Sequence, residues 1–128
     1  MTNIATAPPP PFEHVTLTQR DGESLSFEGQ LLGAGTSKAP GKQRWFEINI
    51  YRKRDGSYVV HTIGMSLIDG ESPLVRIIMT TSAFEIISVL VVNHNNKTYI
   101  PRQSDRALAQ AAHWDDDIRD AYINRAVL

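Results

Sequence analysis

Two runs of alternating apolar and polar residues meet at Asp55-Gly56 near the middle of this chain of 128 residues. Asp-Gly is typical of the tight turn of a β-hairpin, because both residues tolerate the positive φ angles that a type I′ turn requires. Residues 44–68 are therefore predicted to form two antiparallel strands. With Asp55 and Gly56 as a two-residue loop, the register places Ile48 opposite Ile63.

This register divides the side chains of the hairpin between two faces, since neighbouring residues of a strand point to opposite sides of a sheet. The first face is mostly apolar and is expected to be buried; it contains Phe46, Ile48, Ile50, Arg52, Val59, His61, Ile63 and Met65. The second face mixes aromatic and polar side chains; it contains Trp45, Glu47, Asn49, Tyr51, Lys53, Tyr58, Val60 and Thr62. We expect the large rings of Trp45 and Tyr51 to make contacts on this second, outer face.

Turn residues separate further alternating segments on both sides of the central hairpin. A first hairpin and one later strand are predicted at residues 14–20, 25–32 and 74–80. Residues 33–41 are rich in glycine, proline and serine and show no periodicity, which predicts an irregular, mobile loop. Residues 99–100, directly before Pro101, predict a short edge strand because proline cannot continue a ladder of hydrogen bonds.

Three helices are predicted after the strands. Ser82 and Glu85 have the spacing of a capping box, which predicts a helix over residues 84–92, although the many β-branched residues there keep a buried strand as the alternative. Ser104 and Asp115 are each predicted to cap a C-terminal helix.

Strands followed by helices indicate an α+β fold. We predict an antiparallel sheet of about five strands, with one middle helix and two short C-terminal helices packed on one face. Residues 1–11 contain a run of four prolines and predict a disordered or strapped-down tail. Residues 12–128 are predicted to form a single α+β domain.

The composition indicates one globular domain. Apolar residues make up 41% of the chain, which suffices for a single core, and the net charge of −1 argues against a surface that binds nucleic acid over its whole area. The absence of cysteine excludes a disulfide framework, a thiolate zinc site and a cysteine nucleophile. The start of the chain lacks a secretory pattern and no apolar run is long enough for a bilayer, so we expect a cytoplasmic protein.

Basic and aromatic residues concentrate around the central hairpin. Between Lys42 and His61, five basic residues stand against two acidic ones, a local charge of +3. The predicted partner-binding residues are Arg44, Trp45, Tyr51, Arg52, Lys53 and Tyr58. Aromatic and arginine side chains supply much of the energy of protein interfaces, which favours protein–protein contact. A surface in which cations alternate with aromatic rings also suits single-stranded nucleic acid. A third interpretation is that the charges are merely solvated and the aromatic residues form ordinary cross-strand pairs.

The histidines and acids do not predict an enzyme. His113 lies near Asp115, Asp116 and Asp117, but aspartates at the start of a helix are explained by capping and by the helix dipole. His61 is predicted to be a neutral, hydrogen-bonded core histidine. The spacings of known metal-ligand and nucleophile motifs do not occur, so we predict no catalytic residue, no metal and no cofactor.

These patterns lead to one functional expectation and one alternative. The chain is expected to be a small non-catalytic binding module that contacts a partner protein through the outer face of the central hairpin, as an adaptor, an inhibitor or a subunit of a complex. The alternative is binding of single-stranded nucleic acid by the same surface. A homodimer through a sheet edge or through the C-terminal helices also stays open.

Overall fold

The computed structural model of the protein describes residues 8–125. Five strands form one antiparallel sheet in the order β1-β2-β3-β4-β5, so that each strand pairs with its neighbours along the chain. The strands are β1 (Phe12–Thr18), β2 (Ser24–Thr36), β3 (Arg44–Lys53), β4 (Tyr58–Ser66) and β5 (Leu74–Thr80). The predicted α+β fold with an antiparallel sheet of about five strands is confirmed.

Three helices and a small second hairpin follow the sheet. They are α1 (Ala83–Leu90), β6 (Val92–His94), β7 (Lys97–Tyr99), α2 (Arg102–Trp114) and α3 (Asp116–Ile123). One middle helix and two C-terminal helices agree with the prediction, and the segment 84–92 is thus mainly helical. The short strand predicted at residues 99–100 is present but spans Lys97–Tyr99, and it pairs with β6 outside the main sheet, across a turn in which Asn95 and Asn96 both have positive φ.

The core lies between one face of the sheet and the three helices. Its buried side chains come from β2, β3, β4 and every helix: Leu32, Ile48, Ile50, Tyr58, Val60, Ala83, Ile86, Ile87, Leu90, Ala107, Leu108, Ala111, Ala112, Ile118 and Ala121. We call this side of the sheet the helix-covered face and the other side the open face.

The central hairpin turns where predicted, but its register is shifted by one residue. The loop contains three residues, because Lys53 N donates a hydrogen bond to Ser57 O at 2.7 Å, and Gly56 takes a φ of 88°. A turn followed by a glycine of positive φ is the usual form of a three-residue hairpin loop. Ile48 therefore lies opposite Thr62, and the predicted pairing with Ile63 is wrong.

The register shift changes the face of every β4 side chain, since side chains alternate along a strand. Tyr58 and Val60 lie on the helix-covered face, whereas Val59 and His61 lie on the open face, opposite to the prediction. Phe46 was expected to be buried with Ile48 and is 57% exposed. It lies near the start of β3, outside the buried cluster between the sheet and the helices.

Helix α2 packs directly on the backbone of β2. A Cβ atom at Gly33 would lie 2.1 Å from the Ala107 carbonyl oxygen, and one at Gly35 would lie 2.0 Å from that of Gln103. Only glycine permits this approach. The irregular loop predicted over residues 33–41 is therefore shorter: residues 33–36 continue β2, after a bulge at Leu32, and the loop that remains spans residues 37–43.

The helix ends follow two of the three predicted caps. The Ser82 side chain accepts a hydrogen bond from Glu85 N, and that of Asp115 accepts one from Ile118 N. The prediction for Ser104 is wrong, because α2 begins at Arg102, after Pro101, and Ser104 is buried within its first turn. Pro101 occupies the N-cap position without a side-chain cap bond, and it has no backbone N–H of its own to satisfy.

The described part of the N-terminal tail contacts the sheet. The carbonyl oxygen of Pro10 accepts a hydrogen bond from Gln30 Nε2 at 2.7 Å, just before β1 begins. Residues 1–7, on which most of the tail prediction falls, lie outside the described residues. Within residues 8–125, none of the helices combines the length and the apolar character needed to cross a membrane.

Candidate functional site

The open face of the sheet is lined mainly by apolar side chains, and in residues 8–125 the helices pack on the other side. Three cross-strand rows follow from the pairing of β2, β3, β4 and β5: Leu31–Tyr51–Val59–Met79, Ala34–Asn49–His61–Ile77, and Thr36–Glu47–Ile63–Val75. Trp45 pairs with Met65 beyond the third row. Apolar side chains that reach across four strands are typical of a sheet face that packs against another layer.

Phe27 and Tyr51 form an aromatic pair on the open face. Their ring centroids are 5.5 Å apart and the rings meet edge to face, an arrangement that adds stabilisation beyond burial alone. The Phe27 ring lies over the backbone of Gly29, where a Cβ atom would be 2.5 Å from the ring. Burial raises the pKa of the Tyr51 hydroxyl. The pair is therefore a fixed, half-buried aromatic platform.

Trp45 is held at the other end of the open face. Its Nε1 donates a hydrogen bond to Glu47 Oε2 at 2.8 Å, and Lys38 Nζ lies 4.9 Å from the ring centroid. A cation at this distance over an indole is attracted by the ring. The indole is buried, and its polar edge is already satisfied by Glu47. Trp45 thus forms part of the floor of the surface.

A polar spot interrupts the apolar rows at their centre. Asn49 lies opposite His61, and burial lowers the pKa of the His61 imidazole, while the nearby charge of Glu47 acts in the opposite direction. His61 is 7% exposed, and its Nδ1 is buried without a hydrogen-bond partner among the described residues. The predicted hydrogen-bonded core histidine is therefore wrong in both its face and its bonding.

The six predicted partner-binding residues do not share one face. Trp45, Tyr51 and Lys53 occupy alternate positions of β3 on the open face. Arg52 and Tyr58 lie on the helix-covered face, where both bond Asp115. The structure therefore keeps half of the predicted group together and separates the other half from it.

Arg44, the sixth residue, is engaged in an ion pair at the end of the sheet. Its guanidinium donates two hydrogen bonds to the Glu71 carboxylate, which also accepts one from the Ser66 hydroxyl. These bonds lower the pKa of Glu71 to about 2. The pair lines a cavity of about 460 Å³ whose apolar wall includes Phe46 and Leu74.

Asp115 joins the sheet to the C-terminal helices and was expected only to cap α3. The carboxylate is 3% exposed and accepts hydrogen bonds from Arg52 Nη1 at 2.8 Å and from Tyr58 Oη at 2.9 Å, besides the one from Ile118 N. Burial, followed by the hydrogen bond to Asp115, raises the pKa of Tyr58. Gln30 Oε1 accepts two further bonds from Arg52. Neither Arg52 nor Tyr58 carries a sequence signal for this contact, which spans more than 50 residues of chain.

The described residues contain no group of three or more acidic or histidine side chains arranged to hold a metal ion. Near His113, the ring lies edge to face on Trp114 with centroids 4.4 Å apart, and Asp116 pairs with Arg119 on the surface of α3. Asp115 is directed toward the sheet. The cluster of His113 and three aspartates is thus divided among different contacts.

Comparison with protein-family models, with curated protein sequences and with solved structures finds no match for this chain.

Proposed function

We propose that the protein is a non-catalytic binding module whose open face docks an apolar surface of a partner protein. The observation that supports this proposal is the row Leu31–Tyr51–Val59–Met79, which runs across four strands on the face that no helix of residues 8–125 covers and in which Val59 itself is fully buried. Met79 is 61% exposed and Leu31 is 41% exposed, so apolar area is available at both ends of the row. Burying such area drives most protein association.

The polar spot at the centre gives the surface selectivity. A partner that covers the rows must bring hydrogen-bonding groups to Asn49 and Glu47, since a buried polar group without a partner is costly. Tyr51 lies beside this spot and combines a large apolar area with few rotatable bonds, which is the character of a central interface residue. The expected partner surface is apolar, with an amide or hydroxyl near its middle.

Charge on the open face favours protein over nucleic acid. The charged strand residues on this face are Glu13, Glu47 and Lys53, so acids outnumber cations there. A surface that follows a phosphate backbone needs a track of cations. Arg52 lies on the helix-covered face with Ile48 and Ile50 and bonds Asp115 there, which weakens the nucleic-acid interpretation.

The experiment compares one open-face variant with one control. The wild-type protein, immobilised, is used to isolate a partner, which is then purified and titrated against wild type, Tyr51→Glu and Arg119→Gln, the last on the opposite side of the molecule. We expect Tyr51→Glu to weaken binding by about 30-fold or more, as for a central interface residue, and Arg119→Gln to leave it unchanged. Equal affinity of the partner for all three proteins would refute the assignment of this face.

Single-stranded nucleic acid is the second candidate, because Lys38 and Lys42 lie at the Trp45 end of the surface. Anisotropy of labelled RNA and DNA at about 50 and 200 mM salt separates the two functions. Micromolar binding that collapses at the higher salt, and that is lost in Trp45→Ala, would replace the protein-docking proposal. We expect no such binding.

A further inference from the structure

The two outer strands of the sheet differ in how well they are protected. β1 follows four proline residues and carries Glu13 and His14, and charges and prolines are the usual features that prevent an edge strand from pairing with another chain. β5 has the sequence LVRIIMT, with Arg76 as its one charge, and β4 is its one ladder partner among the described residues. Its outer backbone donors and acceptors are therefore open to a further strand.

We propose that β5 pairs antiparallel with β5 of a second copy, about a two-fold axis at Ile77, to form a homodimer with one continuous ten-stranded sheet. This inference does not depend on the function of the open face. Strand addition at an exposed edge supplies main-chain hydrogen bonds, and alternate side chains then determine which partner fits.

The self-complementarity of β5 selects the second copy as the partner. A two-fold axis perpendicular to the sheet keeps both open faces on the same side, and it must pass through a residue of β5. Directly opposed residues of an antiparallel pair point to the same face, whereas neighbouring residues of one strand point to opposite faces. An axis between two residues would therefore set an open-face residue opposite one from the helix-covered face. An axis at Ile77 sets Val75 opposite Met79 of the other copy and Ile77 opposite its own equivalent. The open-face contacts across the seam are thus all apolar.

Neighbouring registers are less favourable. An axis at Arg76 would set two arginines directly opposite each other, and like charges in that position are destabilising. An axis at Ile78 would pair only residues 76–80, whereas the axis at Ile77 pairs all seven residues of β5. The arrangement that uses the whole strand is therefore also the one that avoids the charge clash.

The exposed side chains around β5 agree with this seam. Leu74 is 62% exposed at the start of the strand, and Phe84 is exposed on α1, which begins just after the strand ends at Thr80. The antiparallel pairing brings Leu74 of one copy next to Thr80 of the other, on the side of the sheet where α1 lies. Leu74 of one copy and Phe84 of the other, both exposed in a single chain, are then near each other in the dimer.

The test uses opposite charges at the axis. The molar mass of wild type, Ile77→Lys, Ile77→Glu and an equal mixture of the two variants is measured by light scattering during size-exclusion chromatography. We expect wild type to have twice the chain mass of 14.3 kDa, each variant alone to have the mass of one chain, and the mixture to recover the dimer. Only a residue that faces its own equivalent gives this recovery.

A matched pair on the other edge is the control. Val15 is a partly buried apolar residue at the corresponding open-face position of β1, and Val15→Lys and Val15→Glu should each keep the dimer mass. A wild-type mass of one chain at the highest concentration, or dimers in both single Ile77 variants, would overturn the proposal.

Cysteine cross-linking gives a second measurement that leaves charge unchanged. The chain has no cysteine, so Ile77→Cys introduces a single thiol. Directly opposed residues of an antiparallel pair have Cα atoms about 4.5–5.5 Å apart, which a disulfide spans. Mild oxidation should convert folded Ile77→Cys to a covalent dimer and leave Val15→Cys monomeric on a non-reducing gel. Failure of Ile77→Cys to cross-link faster than Val15→Cys would count against the seam even if the charge variants were unfolded.

Discussion

Asp115 shows how one side chain fixes the relative position of three elements. It begins α3 by capping the backbone, and at the same time it holds Arg52 of β3 and Tyr58 of β4. A carboxylate buried to this extent is tolerated because all of these donors satisfy it. The sheet and the C-terminal helices are therefore joined by a polar contact within an otherwise apolar core.

Replacing Asp115 with asparagine separates the ion pair from the cap, because asparagine caps a helix nearly as well as aspartate. We expect Asp115→Asn to lower the free energy of unfolding by about 3 kcal/mol, since Arg52 then keeps its charge without a carboxylate partner. Asp116→Asn, at the exposed neighbouring position, should change it by about 0.5 kcal/mol or less. Urea unfolding measures both, and equal effects would show that the Arg52 contact contributes nothing.

His61 should make stability fall in mild acid. Burial lowers the pKa of His61 below its usual 6.5, so the unfolded chain binds a proton more readily than the folded one. Stability from this residue is fully present above pH 6.5 and is lost as the pH falls from there through the lower folded pKa.

The variant His61→Leu removes this titration. The free energy of unfolding should fall less between about pH 7.5 and 5.5 in His61→Leu than in wild type, whereas His94→Gln, at an exposed position, should keep the wild-type pH dependence. Identical curves for all three proteins would contradict the assigned burial of the imidazole.

At the scale of elements, the contact between α2 and β2 depends on two missing side chains. Gly33→Ala and Gly35→Ala each place a methyl group against a helix carbonyl oxygen, so α2 must move away from the sheet. We expect each to lower the free energy of unfolding by about 3 kcal/mol or more. Gly64→Ala is the control, because its nearest neighbours are side-chain atoms at 3.3 Å or more. Chemical denaturation of the three variants tests the contact, and a neutral Gly33→Ala would disprove it.

Turns and elements were more predictable than pairing. Asp55-Gly56, Ser82 and Asp115 act locally, through backbone angles and capping bonds, and each indicated a real turn or helix end. The hairpin register depended on whether Arg54 joins the loop, and the dipeptide alone does not decide that. Local composition predicts Gly33 and Gly35 in a loop, whereas they lie in β2 against α2, and no local pattern reveals a contact with a helix that begins only at Arg102.

The same limit applied to the candidate site. Trp45, Tyr51 and Lys53 share a face because they alternate within one strand, and this grouping needed no knowledge of β4. The predicted register places Tyr58 on the same face, and the shift by one residue places it on the helix-covered face. Arg52 lies on the other face, as the alternation within β3 predicts, and its contact with Asp115 comes from a helix that no local pattern connects to β3.

At the scale of the whole molecule, one core should give one unfolding transition. Sheet and helices share a single buried cluster, and the two tryptophans lie on different sides of it, Trp45 on the open face and Trp114 at the end of α2. Single-tryptophan variants Trp45→Phe and Trp114→Phe should give fluorescence transitions with the same denaturant midpoint as circular dichroism, as two-state unfolding requires. Midpoints that differ between the two variants would mean that the sheet and the C-terminal helices unfold separately.

The strand order has a consequence for how the chain is made. Each strand pairs with its neighbour, so the sheet can assemble as soon as Thr80 has left the ribosome, while α2 and α3 are synthesised afterwards at about 5–20 residues per second. During that interval Ile48, Ile50 and Val60 have no helix to cover them, and Leu31 and Met79 are exposed on the open face. A nascent chain at this stage exposes apolar side chains on both faces of the sheet, and such transiently exposed surface is what chaperones protect from aggregation.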